Sequence, residues 1–264
     1  MNWVYLMINK VIKLNDNLIN QIAAGEVVDN PSSVIKELIE NSIDAKSKSI
    51  EIYIENGGKK SILINDDGQG MHEKDLINAF ERFATSKIEK QKDLENICTL
   101  GFRGEALPSI ASVSQILIKS KYKSSTGHQL TIEGGKLLNS KPDSIDKGTS
   151  ILVKNLFYNV PARLKFLKKD SNEYQKILAL FKVFSLSNPE IAFSLFNDNK
   201  EVYNLPSSNL KSRIVNIFGY DYKDSLIEVD YSQDNYKISG YIGNLSLVKK
   251  SRGNQYSIIN GRYI

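Results

Sequence analysis

From residue 34 to residue 45 the chain reads VIKELIENSIDA, with apolar positions recurring at helical spacing. Val34, Ile35, Leu38, Ile39, Ser42 and Ile43 share one side of a 3.6-residue wheel; Glu37, Asn41 and Asp44 share the other, at i, i+4 and i+7. The pattern predicts a helix with one face packed inward. Its other face presents a carboxylate, an amide and a second carboxylate, one turn apart. Ser32 or Ser33 is the expected cap, and Pro31 the stop against helix running in from upstream. Alone, such a column is most often a solvated helix face.

Around this stretch the period changes repeatedly. Leu14, Leu18, Ile19 and Ile22 predict a short helix ended by Ala23-Ala24-Gly25. Ile50, Ile52 and Ile54 alternate with polar residues and predict a strand, turned at Asn56-Gly57-Gly58 and returned over 61–65. A helix is predicted over 73–83, with Leu76, Ile77, Ala79 and Phe80 inward, and another over 105–113. Strands follow at 116–120, 129–133 and 149–154, then a helix opened by Pro161 and a longer one over 173–187. Residues 191–196 and 202–205 read as a hairpin; beyond Pro206-Ser207-Ser208 come a helix (210–218) and strands near 225–229, 236–242 and 255–260. The expected division is an arm (1–11), a main domain (12–206) and a partial second domain (207–264). Met7 could be an alternative start, which would make residues 1–6 dispensable.

Composition narrows the class. Hydrophobic residues at 41% and charged residues at 25% describe an ordinary globular chain of 264 residues. The net charge of +5 suits an anionic polymer as partner, but also follows from a compositional bias toward Lys. One cysteine, Cys98, builds no disulfide framework or cysteine-rich metal site, so a reducing, intracellular compartment is expected. No apolar run is long enough to cross a membrane, and the first residues lack the layout of a signal peptide. P-loop, GxGxxG, HExxH, nucleophile-elbow and kinase motifs do not occur, and His72 and His128 are expected to be surface residues.

Two glycine-bearing stretches carry the remaining chemistry. Asp66-Asp67-Gly68-Gln69-Gly70-Met71 puts two carboxylates at a strand end with glycines one residue apart, which is either a turn or a close backbone approach. Gly101-Phe102-Arg103-Gly104 precedes a helix start, and unpaired N–H groups, glycines and an arginine together suit phosphate.

In order, ELIENSIDA, DDGQGM, ATSK with GFRGEAL, and Gly148-Thr149 resemble the GHKL ATPases of Bergerat fold. The stretches QIAAGEVV at 21–28 and LFYN with PAR at 156–163 resemble the MutL mismatch-repair family within them. The resemblance implies an α+β fold: a two-layer α/β sandwich with a mixed, mainly antiparallel sheet, then part of a transducer-like α/β domain. It implies ATP and Mg2+ as ligands. Glu37 matches the glutamate that polarises the attacking water, and Asn41 the magnesium ligand. Asp66 matches the acceptor for the adenine amino group, while Gly70 and Thr149 line the base. Thr85, Ser86, Lys87, Gly101, Phe102, Arg103 and Gly104 match the lid and phosphate loop. Asp67 replaces the usual asparagine, and Phe83 a frequent histidine. The implied partners are DNA, a MutS-type mismatch sensor, a downstream nuclease or helicase and a second copy of the chain, in the bacterial cytoplasm. For DNA the candidates are Arg163, Lys165, Lys168 and Lys169, and Lys249, Lys250 and Arg252; either cluster reads equally as a solvated basic face. The family's γ-phosphate lysine lies beyond the motif that Asn260-Gly261-Arg262 resembles. The chain is therefore expected to be a fragment that binds ATP more readily than it hydrolyses it. A gyrase-like ATPase domain or a non-hydrolysing nucleotide module are the alternatives.

Overall fold

A computed structural model describes residues 16–88, 90–94, 99–248 and 253–264. Leu14, Cys98, Lys249, Lys250 and Arg252 lie outside the described residues. Eight strands form one sheet: β1 (Ser49–Glu55), β2 (Ser61–Asp66), β3 (Gln115–Lys121), β4 (His128–Glu133), β5 (Lys136–Pro142), β6 (Gly148–Lys154), β7 (Ala192–Asn197) and β8 (Lys200–Leu205). Their order is β5-β4-β3-β6-β2-β1-β7-β8. Every neighbouring pair is antiparallel except β1 with β7. The sheet is mixed and mainly antiparallel, as expected. Strict alternation puts Ile50, Ile52, Ile54, Ile62, Ile64, Ile116, Ile118, Ile151, Val153, Phe193 and Leu195 on one buried face.

Helices cover that face. The helices are α1 (Asp16–Val27), α2 (Pro31–Asp44), α3 (Glu73–Asn78), α4 (Ala106–Ser112), α5 (Pro161–Phe166), α6 (Asp170–Ser187) and α7 (Leu210–Phe218), of which α5 buries no residue. From α2, Val34, Ile35, Leu38, Ile39 and Ser42 are buried, which is the face read from the sequence. Each of its large aliphatic side chains contributes about 1.5–3 kcal/mol by leaving water. Its cap is Asn30, not serine: Asn30 Oδ1 accepts from the N–H groups of Ser32 (3.0 Å) and Ser33 (3.3 Å), and Pro31 is the first helical residue.

Other boundaries differ for identifiable reasons. α1 runs through Gly25 to Val27 and packs against α4. α3 stops at Asn78, because Phe80 and Glu81 bond three residues back and Phe83 N–H turns to Gly104 O (3.0 Å). Lys168 and Lys169 lie past the end of α5, where Leu167 is extended. β5 was not expected; all of its residues are exposed at the sheet edge. His128 is buried, with Nε2 2.8 Å from Ser140 Oγ, whereas His72 is exposed as expected.

After α7 the chain forms a two-stranded ribbon, β9 (Leu226–Gln233) with β10 (Tyr236–Gly243), then the short pair β11 (Ile258–Ile259) and β12 (Arg262–Tyr263). The strand expected over 255–260 is reduced to two residues. α7 is joined to the body by Arg213, which is fully buried. Its terminal nitrogens reach the carbonyls of Ser185 (3.1 Å), Pro189 (2.8 Å), Ile191 (2.8 Å) and Pro206 (2.9 Å).

Candidate functional site

The polar face of α2, the end of β2, the start of β6 and two loops enclose one cleft of about 1350 Å3. Glu37, Asn41, Asp66, Gly70, Thr85, Ser86, Lys87, Gly101, Phe102, Arg103, Gly104 and Thr149 all line it. Residues 112 positions apart in the chain thus meet around a single space, which a solvated helix face would not require.

One end is set by the sheet. Asp66 pairs with Thr149 in the β2–β6 register, so both reach the cleft at the same level. Asp66 Oδ2 lies 2.9 Å from Ser42 Oγ, and Oδ1 accepts from Gly68 N–H (2.9 Å) and lies 3.2 Å from Ser47 Oγ. Burial pushes the Asp66 carboxyl above the ordinary aspartate range. Gly68, Ser42 and Ser47 pull it partly back, and neighbouring Asp67 adds to the rise. Gly70 is left-handed (φ 68°), and a Cβ there would run into the Lys121 carbonyl. Here the second glycine of DDGQG marks close packing within the protein. Asp67 turns away from the cleft: its Oδ1 accepts from the N–H groups of Lys48 (2.7 Å) and Ser49 (2.9 Å). Asp67 therefore does not line the cleft, but its charge still acts on Asp66, whose carboxyl it helps to raise.

The other end is set by side chains crossing between loops. Lys87 Nζ donates to Asn41 Oδ1 (2.8 Å) and Asp44 Oδ2 (2.6 Å). Asp44 also accepts from the N–H groups of Leu100 (3.0 Å) and Gly101 (3.3 Å). Gly104 is left-handed (φ 63°) and lies against the Ala84 backbone. Arg262 Nη2 reaches the carbonyls of Thr99 (3.4 Å) and Leu100 (3.3 Å). Glu37 is held by Lys36 (3.1 Å), which also pairs with Glu40 (2.9 Å). Burial raises the Glu40 carboxyl, and Lys36 lowers it in part. Asp44 and Arg262 are the contributors for which the sequence suggested no role. Asp44 was visible in the α2 column, but its partners come from distant loops.

The basic candidates are placed unequally. Lys165, Lys168 and Lys169 are exposed. Arg163 is half-buried, with its guanidinium 5.8 Å over the Phe157 ring and against Gly25, and its buried Nη1 has no hydrogen-bond partner among the described residues.

Among the described residues, no cluster of three His, Cys, Asp or Glu side chains could cage a metal. Asn41 offers a single amide oxygen, already in contact with a cation, the Lys87 ammonium. A single protein oxygen fits magnesium, which keeps several waters and takes further ligands from substrate phosphates.

This sandwich, with a polar cleft between one helix and loops, defines the ATPase class of the histidine kinases and DNA gyrase B. Residues 29–155 match the family described as "Histidine kinase-, DNA gyrase B-, and HSP90-like ATPase", and residues 214–264 match "DNA mismatch repair protein, C-terminal domain". Two MutL mismatch-repair proteins are similar: that of Bacteroides fragilis, 44% identical over 95% of this chain and 40% of its own length, and that of Clostridium beijerinckii, 47% identical over 95% and 38%. The solved MutL ATPase domain of Aquifex aeolicus complexed with ADP is 32% identical, with a TM-score of 0.69, covering 90% of this chain and 84% of that one. The chain belongs to the MutL family and corresponds to its ATPase region. It spans about two fifths of the length of the curated relatives it matches. Among the described residues, no helix is long and apolar enough to cross a membrane.

Proposed function

We propose that this chain binds ATP with magnesium in the cleft and hydrolyses it as the conformational switch of a DNA mismatch-repair protein. The observation that carries the reading is the meeting of Glu37, Asn41, Asp66 and the Gly101–Gly104 loop around one space. Asp66 accepts a hydrogen bond from the adenine amino group, beside Gly70 and Thr149. Asn41 and the phosphates would hold magnesium, which when bound would neutralise charge on the phosphoryl group being transferred. Lys87, Thr85, Ser86 and the N–H groups of the glycine loop hold the phosphates. Glu37, one turn from Asn41 on the same rigid face, orients the attacking water and receives its proton. Lys36 beside it keeps that carboxylate in place.

The same reading supplies the partners. ATP-dependent pairing of two copies, a MutS-type sensor and a downstream nuclease or helicase are proposed in a cytoplasmic setting. DNA is contacted without sequence preference through Lys165, Lys168 and Lys169, with Arg163 and the Lys249, Lys250 and Arg252 cluster as further candidates. Titration calorimetry with ATP and magnesium tests the core of the proposal. A site that takes no adenine nucleotide, or takes it equally well after Asp66→Ala, ends it. DNA affinity that does not weaken with added salt removes the phosphate contacts.

A further inference from the structure

We propose that Asp44 is the positioning residue of the phosphate end, a single carboxylate that fixes Lys87 and the Leu100–Gly101 backbone relative to Asn41. This rests on the nucleotide reading above and deepens it.

Asp44 closes α2, one turn beyond Asn41, and its side chain is 8% exposed. Its three donors stand 43, 56 and 57 positions further along the chain, in two separate stretches. Oδ2 takes the Lys87 ammonium and the Gly101 N–H, and Oδ1 takes the Leu100 N–H. Those stretches have no sheet register to hold them: residues 84–88 and 99–105 contain no helix or strand. A charge-assisted set of three hydrogen bonds to one carboxylate, with the weaker, exposed Arg262 contacts beside it, therefore positions the start of the glycine loop.

The position is electrostatically costly for the helix. A negative charge in the last turn of an α-helix faces the negative end of its dipole. Helix stability alone would favour a cation here, so the carboxylate is explained by what it holds. The Lys87 ammonium bridges it to Asn41 Oδ1. Were that amide oxygen to ligate magnesium, Lys87 would lose one acceptor and keep the other. Asp44 would then retain the ammonium beside the phosphates and keep the Gly101 N–H at the mouth of the loop.

The test compares Asp44→Ala and Asp44→Asn with the unaltered 264-residue chain. In hydrogen exchange without nucleotide, the Leu100 and Gly101 amides of Asp44→Ala should exchange about tenfold faster or more, with β2 and β6 amides unchanged. In calorimetry, both variants should bind ATP with magnesium about tenfold more weakly or worse, and adenosine as tightly as before. Unchanged exchange in Asp44→Ala overturns the proposal. So does an equal loss of adenosine and ATP affinity, because Asp44 would then only support the fold. An unaltered chain that binds neither ligand defeats the nucleotide reading, and the exchange measurement still decides whether Asp44 fixes the loop.

Discussion

At the Asp66 end of the cleft, functional side chains are placed by strand register: Asp66 stands opposite Thr149, and Ser42 and Ser47 fix its oxygens. At the Lys87 end, placement depends on Asp44 and Arg262 reaching across loops. The first end is as rigid as the sheet. The second is as rigid as a few charge-assisted contacts, so it can rearrange without disturbing the core. On the proposed reading, one site would combine fixed recognition of a base with adjustable handling of phosphates.

The largest effect expected cuts between the two ends. Glu37→Ala should lower turnover by about 10²-fold or more and leave ATP affinity nearly unchanged, because in the proposed mechanism the carboxylate acts on water and not on the bound nucleotide. Single-turnover hydrolysis with parallel calorimetry checks this, and normal turnover would remove Glu37 from the chemistry. Next, Gly70→Ala should destabilise the protein by about 1–3 kcal/mol, since a Cβ meets the Lys121 carbonyl at a left-handed φ. Its thermal midpoint should fall further than that of Gly101→Ala, whose Cβ would meet, among the described residues, only the end of Lys87 at 3.4 Å. Equal shifts would show that the two ends are equally rigid.

Asp66→Asn should cost adenosine and ATP about tenfold in affinity, as expected for one hydrogen bond to a charged group, and leave magnesium triphosphate binding unaffected. The same residue gives opposite pH dependences. Its carboxyl is raised in the folded state, so the folded protein holds that proton more tightly than the unfolded chain. Its contribution to stability is present below the ordinary aspartate pKa and is lost as pH rises through the raised one. If Asp66 accepts the adenine amino group as proposed, binding needs the ionised form, so affinity should fall as pH drops through that raised value, and Asp66→Asn should flatten the profile. The smallest effect belongs to Arg262→Ala: exposed contacts of 3.3 and 3.4 Å contribute under about 1 kcal/mol, so ATP affinity should change less than about fivefold.

Much of this contrast was legible before any fold was known. Alternating isoleucines at 50, 52 and 54 gave β1, and the α2 wheel separated core from cleft, because both patterns express burial on one side. β5 left no such trace, since an edge strand with every residue exposed has no buried face to impose alternation. Asn30 was hidden by the two serines after it, which make equally good caps on composition alone. Glu37, Asn41 and Asp66 could be read from spacing and resemblance. Asp44's partners could not, because a carboxylate's choice of backbone N–H groups 56 and 57 residues away is decided by tertiary packing.

Arg213 sets a mechanical limit on the second half of the chain. Pulling α7 off the body would break four charge-assisted guanidinium–carbonyl hydrogen bonds at once. The helix is riveted where it lies. If the β9–β10 ribbon swings as nucleotide comes and goes, its pivot falls past Phe218, at Gly219 with its φ of 108°.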